Sequence, residues 1–163
     1  MTNIDLLNKW RRRIRCLKAA HFEASNHFGT LNAWVGGLLI CFSASATMVA
    51  YIGAKLHPDK TPDLFYVGLA IIGMVTTVLA GMQTYFRFSE RVERHRTVGV
   101  NLARLELFSE KIELGAVDGV VAVEELEKIM GEWIKITIGA PLLSKRIYAK
   151  HCGTLEVCSS DEK

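Results

Sequence analysis

Two histidines and two rows of arginines are the residues in this sequence with the chemistry and spacing to act together. His21 lies nine residues before an uncharged stretch that begins at Thr30, and His95 lies nine residues after another that ends at Phe86. If the two stretches form an antiparallel helical pair, both imidazoles stand at the same height, roughly 13 Å past its end at 1.5 Å of rise per residue. One reading makes them ordinary interfacial histidines, hydrogen-bonded to a carbonyl or to Glu23, Glu90 or Glu93. The other makes them a latch, two facing rings whose protonation would push the helices apart. Arg87, Arg91 and Arg94 follow one another at spacings of four and three, and Arg11, Arg15 and Lys18 repeat that spacing upstream. Such stripes serve as a collar for lipid phosphates. They also suit an anionic ligand such as a nucleotide, because a guanidinium binds phosphate through two parallel hydrogen bonds.

Catalytic constellations are missing. The sequence has no nucleophile elbow, no glycine-rich phosphate loop and no complete metal-ligand set. His151, Cys152 and Cys158 come nearest to a metal site, and no second ligand cluster completes it. The cysteines Cys16, Cys41, Cys152 and Cys158 are too scattered for a disulfide scaffold. The expectation is a protein that is not an enzyme and uses no cofactor or metal.

The elements that must position these residues follow from where charge is absent. The chain has 163 residues, 50% hydrophobic and 23% charged, with a formal net charge of +3. That composition excludes disordered and collagen-like classes. Thr30 to Ala54 and Leu64 to Phe86 are runs of 25 and 23 residues without Asp, Glu, Lys, Arg or His. As helices each is roughly 35 Å long, enough to cross a hydrocarbon core of about 30 Å. The first run follows about thirty residues of charged sequence, so it reads as an uncleaved anchor rather than a signal peptide. An enzyme or proton-coupled transporter within the bilayer would place ionisable groups at depth, and both runs have none.

Charge bias orients the pair. Residues 1–29 sum to +4 and residues 87–104 to +3, whereas the intervening segment 55–63 is neutral and residues 105–163 carry −4. The positive-inside rule then puts both termini in the cytoplasm. Trp34 and Tyr85 near the inner ends, with Tyr51 and Tyr66 near the outer ends, match two interfacial aromatic belts. The basic balance is therefore membrane-facing, and direct nucleic-acid binding is not expected.

The predicted fold is an all-α membrane protein, a two-transmembrane antiparallel helical hairpin extended into a cytoplasmic helical bundle. Residues 1–152 form one domain: a cytoplasmic helix (1–29), the first span (30–54), an outer loop (55–63), the second span (64–86), a cytoplasmic helix (87–114) and C-terminal helices (120–150). A flexible tail follows (153–163). In the loop, Thr61 caps the second helix and Pro62 takes its first position. Neither crossing contains proline, so each span and its extension should be one helix of roughly fifty residues, with apolar seams through Leu7, Trp10, Ile14, His21 and Ala24 and through Phe88, His95, Gly99 and Leu102. Gly115 to Gly119 should break the second, and Pro141 should open a short amphipathic piece.

Small residues recur every fourth position, Ala33, Gly37, Cys41 and Ser45 in one span and Gly73, Thr77 and Gly81 in the other. Such rows let helix backbones approach closely. A second reading takes Ser43, Thr47, Thr77, Ala80 and Thr84 as the lining of a pore formed by several hairpins around an axis. Hydroxyls that bond back to their own helix would favour the packing reading.

The run Trp10, Arg11, Arg12, Arg13, Ile14, Arg15, then His21, two spans, Gln83 to Arg91, His95, Leu102 and Arg104 resembles the SLATT domain. These are two-transmembrane effectors that accompany cyclic-oligonucleotide synthases and SLOG sensor domains in prokaryotic conflict systems. Pro141 followed by Tyr148 is similar to that family's C-terminal element, and the likeness covers roughly residues 8–150. The resemblance implies a homo-oligomeric, pore-forming antiphage effector of the bacterial inner membrane. It places His21, Arg91, His95 and Arg104 on cytoplasmic motif positions, and it implies a trigger from a nucleotide second messenger or a sensor or synthase protein encoded nearby. The alternative is a non-conducting membrane anchor whose bundle docks a partner enzyme.

Overall fold

The structure, a computed structural model, describes residues 3–56, 63–116 and 121–160. The chain is almost entirely helical, and no strand occurs among the described residues. Five helices follow in order: α1 (Asn3–Leu56), α2 (Asp63–Phe86), α3 (Phe88–Gly115), α4 (Val123–Ile138) and α5 (Lys145–Ser160). Two of the helical stretches are long and apolar enough to cross a membrane. The expected Thr61 cap, Pro62 start and most of the Gly115-to-Gly119 break lie outside the described residues. The chain divides into two units, residues 1–27 with 90–163, and residues 28–89.

The first unit is built on apolar residues at helical spacing. Leu7 and Ile14 of α1, Val98, Leu102 and Leu105 of α3, and Leu126 and Ile129 of α4 form its core together with Val121. On α1, Leu7, Ile14 and His21 recur every seven residues, and all three are buried. That stripe can be covered only by a neighbour whose own stripe matches it, and α3 supplies one. Beside this seam runs a ladder of ion pairs. Arg11 pairs with Glu113, Arg15 with Glu110 and Glu106, and Lys18 with Glu106. The partners count down α3 as they count up α1, so these segments run in opposite directions.

The α1 row read from sequence as a lipid collar is thus paired with carboxylates of α3. Glu106, Glu110 and Glu113 repeat the four-and-three spacing of Arg11, Arg15 and Lys18. Glu106 is buried, which by itself would raise its pKa. Hydrogen bonds from Lys18 and Arg15 overcome that effect and hold it below the usual carboxylate range. Replacing Glu106 by Gln should cost about 1–2 kcal/mol, because a buried charge-assisted bond is lost while Arg15 can turn to water. Denaturant unfolding in detergent should show the loss, and an unchanged midpoint would mean the ladder contributes nothing.

Near the C-terminus the boundaries differ from the pattern expected of proline. Pro141 does not open α5. Ser144 caps it, with the Ile147 N–H donating to Ser144 Oγ at 3.3 Å. A hydroxyl that accepts from the first turn satisfies an orphan donor, which proline three residues earlier cannot do. Residues 153–160, expected as a loose tail, continue the helix.

The second unit holds the uncharged runs. None of the apolar window in either long helix is buried inside the protein. Trp34, Tyr51, Tyr66 and Tyr85 are all exposed. The Phe65 ring lies directly over Gly53, where an added Cβ would fall 2.1 Å from the ring, so any larger residue would force the ring to move. Gln83 reaches toward Gly36, with its Nε2 3.6 Å from where a Cβ would stand.

The second long helix is not continuous. Arg87 adopts φ 45° between α2 and α3. A non-glycine residue in this region costs roughly 1–2 kcal/mol. Around it the rings of Phe86 and Phe88 stack with centroids 5.4 Å apart. Neither glycine nor proline marks the break, so helical periodicity alone could not reveal it.

Candidate functional site

Residues of α1 and α3 build a buried polar site in the first unit. His21 and His95 are each 4% exposed, and their Nδ1 atoms are 3.0 Å apart. The ring centroids are separated by 5.2 Å, with the planes tilted by 40°. One turn further along α1, Ser25 Oγ donates to the Val92 carbonyl at 3.1 Å. On the other side Phe22 packs against Gly99, where a Cβ would approach the ring to 3.2 Å. Glycine at 99 therefore lets the helices come close enough for the imidazoles to meet.

An Nδ1-to-Nδ1 hydrogen bond fixes protonation states. One ring must carry its proton on Nδ1 and donate, and the other must present a bare Nδ1 and accept. Two imidazolium rings cannot make this bond. Burial disfavours charge on both: it lowers the His21 pKa from 6.5 to about 4, with His95 adding a smaller effect. The His95 pKa is also lowered, first by burial and then by the nearby charge of Arg91. The pair is a neutral contact near pH 7 that acid would convert into a repulsive one.

The other motif positions are dispersed. Arg94 pairs with Glu90 at 2.5 Å, one turn back on the same helix. Arg91 is exposed on α3. Arg104 lines a cavity of about 420 Å³ between α3 and α4, with Asn101, Phe108, Glu132 and Lys135. In that cavity Lys135 is engaged by Glu132 at 2.6 Å. Neither Arg91 nor Arg94 lines that cavity. Among the described residues no group of three His, Cys, Asp or Glu side chains is placed to hold a metal ion.

A second cluster joins α1 to α5. Glu23 accepts from Lys150 Nζ at 2.8 and 2.9 Å and is 2.5 Å from His151 Nε2. Those contacts, Lys150 first, hold the Glu23 carboxyl below its ordinary range. Cys16 and Cys152 form a disulfide, with Cα atoms 5.4 Å apart and a sequence separation of 136. This corrects the reading of the cysteines as too scattered for a disulfide scaffold. Packing of α5 beside α1 brings the two together, and sequence distance carries no trace of that.

In the second unit, Ser43, Thr47, Thr77, Ala80 and Thr84 are all exposed. The three threonine hydroxyls bond back to their own helices. Thr47 donates to the Ser43 carbonyl, Thr77 to Gly73 and Thr84 to Ala80, at 2.8–3.0 Å. Of the small-residue rows, Ala33, Gly37, Cys41 and Ser45 are exposed as well, and a Cβ on Gly37 or Gly81 would meet no described atom within 4 Å. The rows are not used for packing within this unit. No family model, curated protein or solved structure matches this chain.

Proposed function

We propose that this chain is a membrane effector of a prokaryotic antiphage system, which oligomerises and permeabilises the inner membrane when triggered. The observation that carries the reading is the surface of the second unit. Two uncharged helical windows lie wholly unburied, and an exposed surface of that kind calls for lipid or other copies of the chain to cover it. The proposed topology is a hairpin across the bilayer with both termini in the cytoplasm, supported by the Lys and Arg bias of the flanking segments. The exposed small rows suit contact between copies, and the exposed set from Ser43 to Thr84 suits an uncharged pore wall. The SLATT-like motif supplies the conflict-system setting.

One observation favours the alternative of a non-conducting anchor that docks a partner enzyme. Thr47, Thr77 and Thr84 already donate their protons to their own helices, which leaves only acceptor lone pairs for water. Expression in bacteria with a potential-sensitive dye and a membrane-impermeant DNA stain separates the two readings. The effector reading expects depolarisation and dye entry to coincide with growth arrest. Arrest with membrane potential intact contradicts it and favours the anchor.

A further inference from the structure

We propose that Cys16 and Cys152 are a reversible oxidation site, whose disulfide clamps α5 onto α1 and whose reduction releases α5. The inference begins with how α5 is held. Among the described side chains of α5, none belongs to the apolar cluster of the first unit or to the partly buried residues packed against it, although Cys152 itself is buried. Its described ties to α1 are the disulfide and the two contacts on Glu23, from Lys150 and His151. The Glu23 contacts lie near the surface, where ion pairs hold weakly. The covalent bond spans 136 residues, and a cross-link over so long a loop constrains the released state strongly. Cutting that one bond therefore removes the covalent tie that holds α5 to α1.

The two sulfurs differ in access. Cys152 is 1% exposed, whereas Cys16 is half-buried. A reducing dithiol reaches the pair from the Cys16 side. Its thiolate attacks Cys16 Sγ and forms a mixed disulfide, and the Cys16–Cys152 bond breaks with its electron pair leaving on Cys152 Sγ, which takes a proton from water. The second thiolate of the reductant then attacks the mixed disulfide and frees Cys16. The dithiol ends as a disulfide, and the protein gains two thiols. In the reverse direction a low-molecular-weight disulfide oxidises the pair and leaves as two thiols. The reversibility rests on the cytoplasmic orientation proposed above, because on a reducing side such a bond follows the redox poise rather than persisting as a fixed staple.

The test uses the full chain carrying Cys41→Ser and Cys158→Ser, so that only the proposed pair can react. Samples in detergent are equilibrated across ratios of oxidised to reduced glutathione, quenched in acid, and counted with a maleimide that adds mass. No added group is expected at the oxidising end and two at the reducing end. Trypsin cleavage at Lys145, Arg146 and Lys150 should be at least about tenfold faster in the reduced form, as expected when a cross-link suppresses local opening. A further Cys16→Ser change should give the fast rate at every ratio. Two added groups at all ratios, or equal cleavage rates with the bond open and closed, would overturn the proposal. Orientation is read separately with a membrane-impermeant maleimide on reduced right-side-out and inverted vesicles. Labelling confined to inverted vesicles supports a cytoplasmic switch. Labelling of right-side-out vesicles overturns both the orientation and the reversibility, while the cleavage assay still reports the clamp.

Discussion

Acidification from about pH 7.5 to about pH 5 is expected to destabilise the first unit by about 1–2 kcal/mol through His21 alone. The direction follows from the lowered pKa. His21 titrates near 6.5 when unfolded and at about 4 when buried against His95. Between those values the unfolded chain binds the proton and the folded chain does not. Stability is therefore complete above 6.5 and drains away as the pH falls toward 4. The full linkage value is somewhat larger, but relaxation and water entry soften burial effects in real proteins. His95, also lowered by burial, acts in the same direction. Protonation of both rings breaks the 3.0 Å contact, because neither Nδ1 can then accept, and sets like charges face to face. Unfolding midpoints or amide exchange around residues 21 and 95 should track this window. The double change His21→Asn with His95→Asn should flatten the profile between pH 7.5 and 5, and an unchanged slope in that variant would assign the acid sensitivity elsewhere.

The second large effect is expected in the spans. Thr77→Leu with Thr84→Leu should reduce dye entry in expressing cells at least about tenfold, because apolar side chains make a narrow passage dewet. The helix itself should tolerate the change, since each hydroxyl donates only to a carbonyl of its own helix, Gly73 or Ala80. Membrane yield and the unfolding of the first unit serve as controls. Undiminished dye entry would remove these positions from any conducting surface. Loss of arrest on Arg91→Glu, with the threonine variant unaffected, would move the activity to the basic face of α3.

Some of this organisation was legible in the residues. Uncharged length announced two helices able to cross a bilayer, and counting nine residues outward from each run brought His21 and His95 to one height. The seam of Leu7, Ile14, His21 and Ala24 follows from helical spacing because burial depends on which face a residue occupies. Other features depend on partners that periodicity does not encode. The stripe Arg11, Arg15 and Lys18 looked the same whether it met lipid phosphate or carboxylate. Its assignment turned on the matching spacing of Glu106, Glu110 and Glu113, nearly a hundred residues away. The disulfide required knowledge that α5 returns to α1. Arg87 gave no signal because its φ 45° is imposed on a residue with no preference for it. At α5 the conspicuous Pro141 drew attention from Ser144, whose hydroxyl does the capping.

The reading of the second unit requires that its uncharged helices reside in lipid. Membranes from expressing cells, washed in alkaline carbonate and sedimented, test this most directly. The chain should stay with the lipid pellet and dissolve only when detergent is added. Recovery in the supernatant as a monodisperse protein without detergent would contradict the account, because the two unburied apolar windows would then have to be tolerated by water.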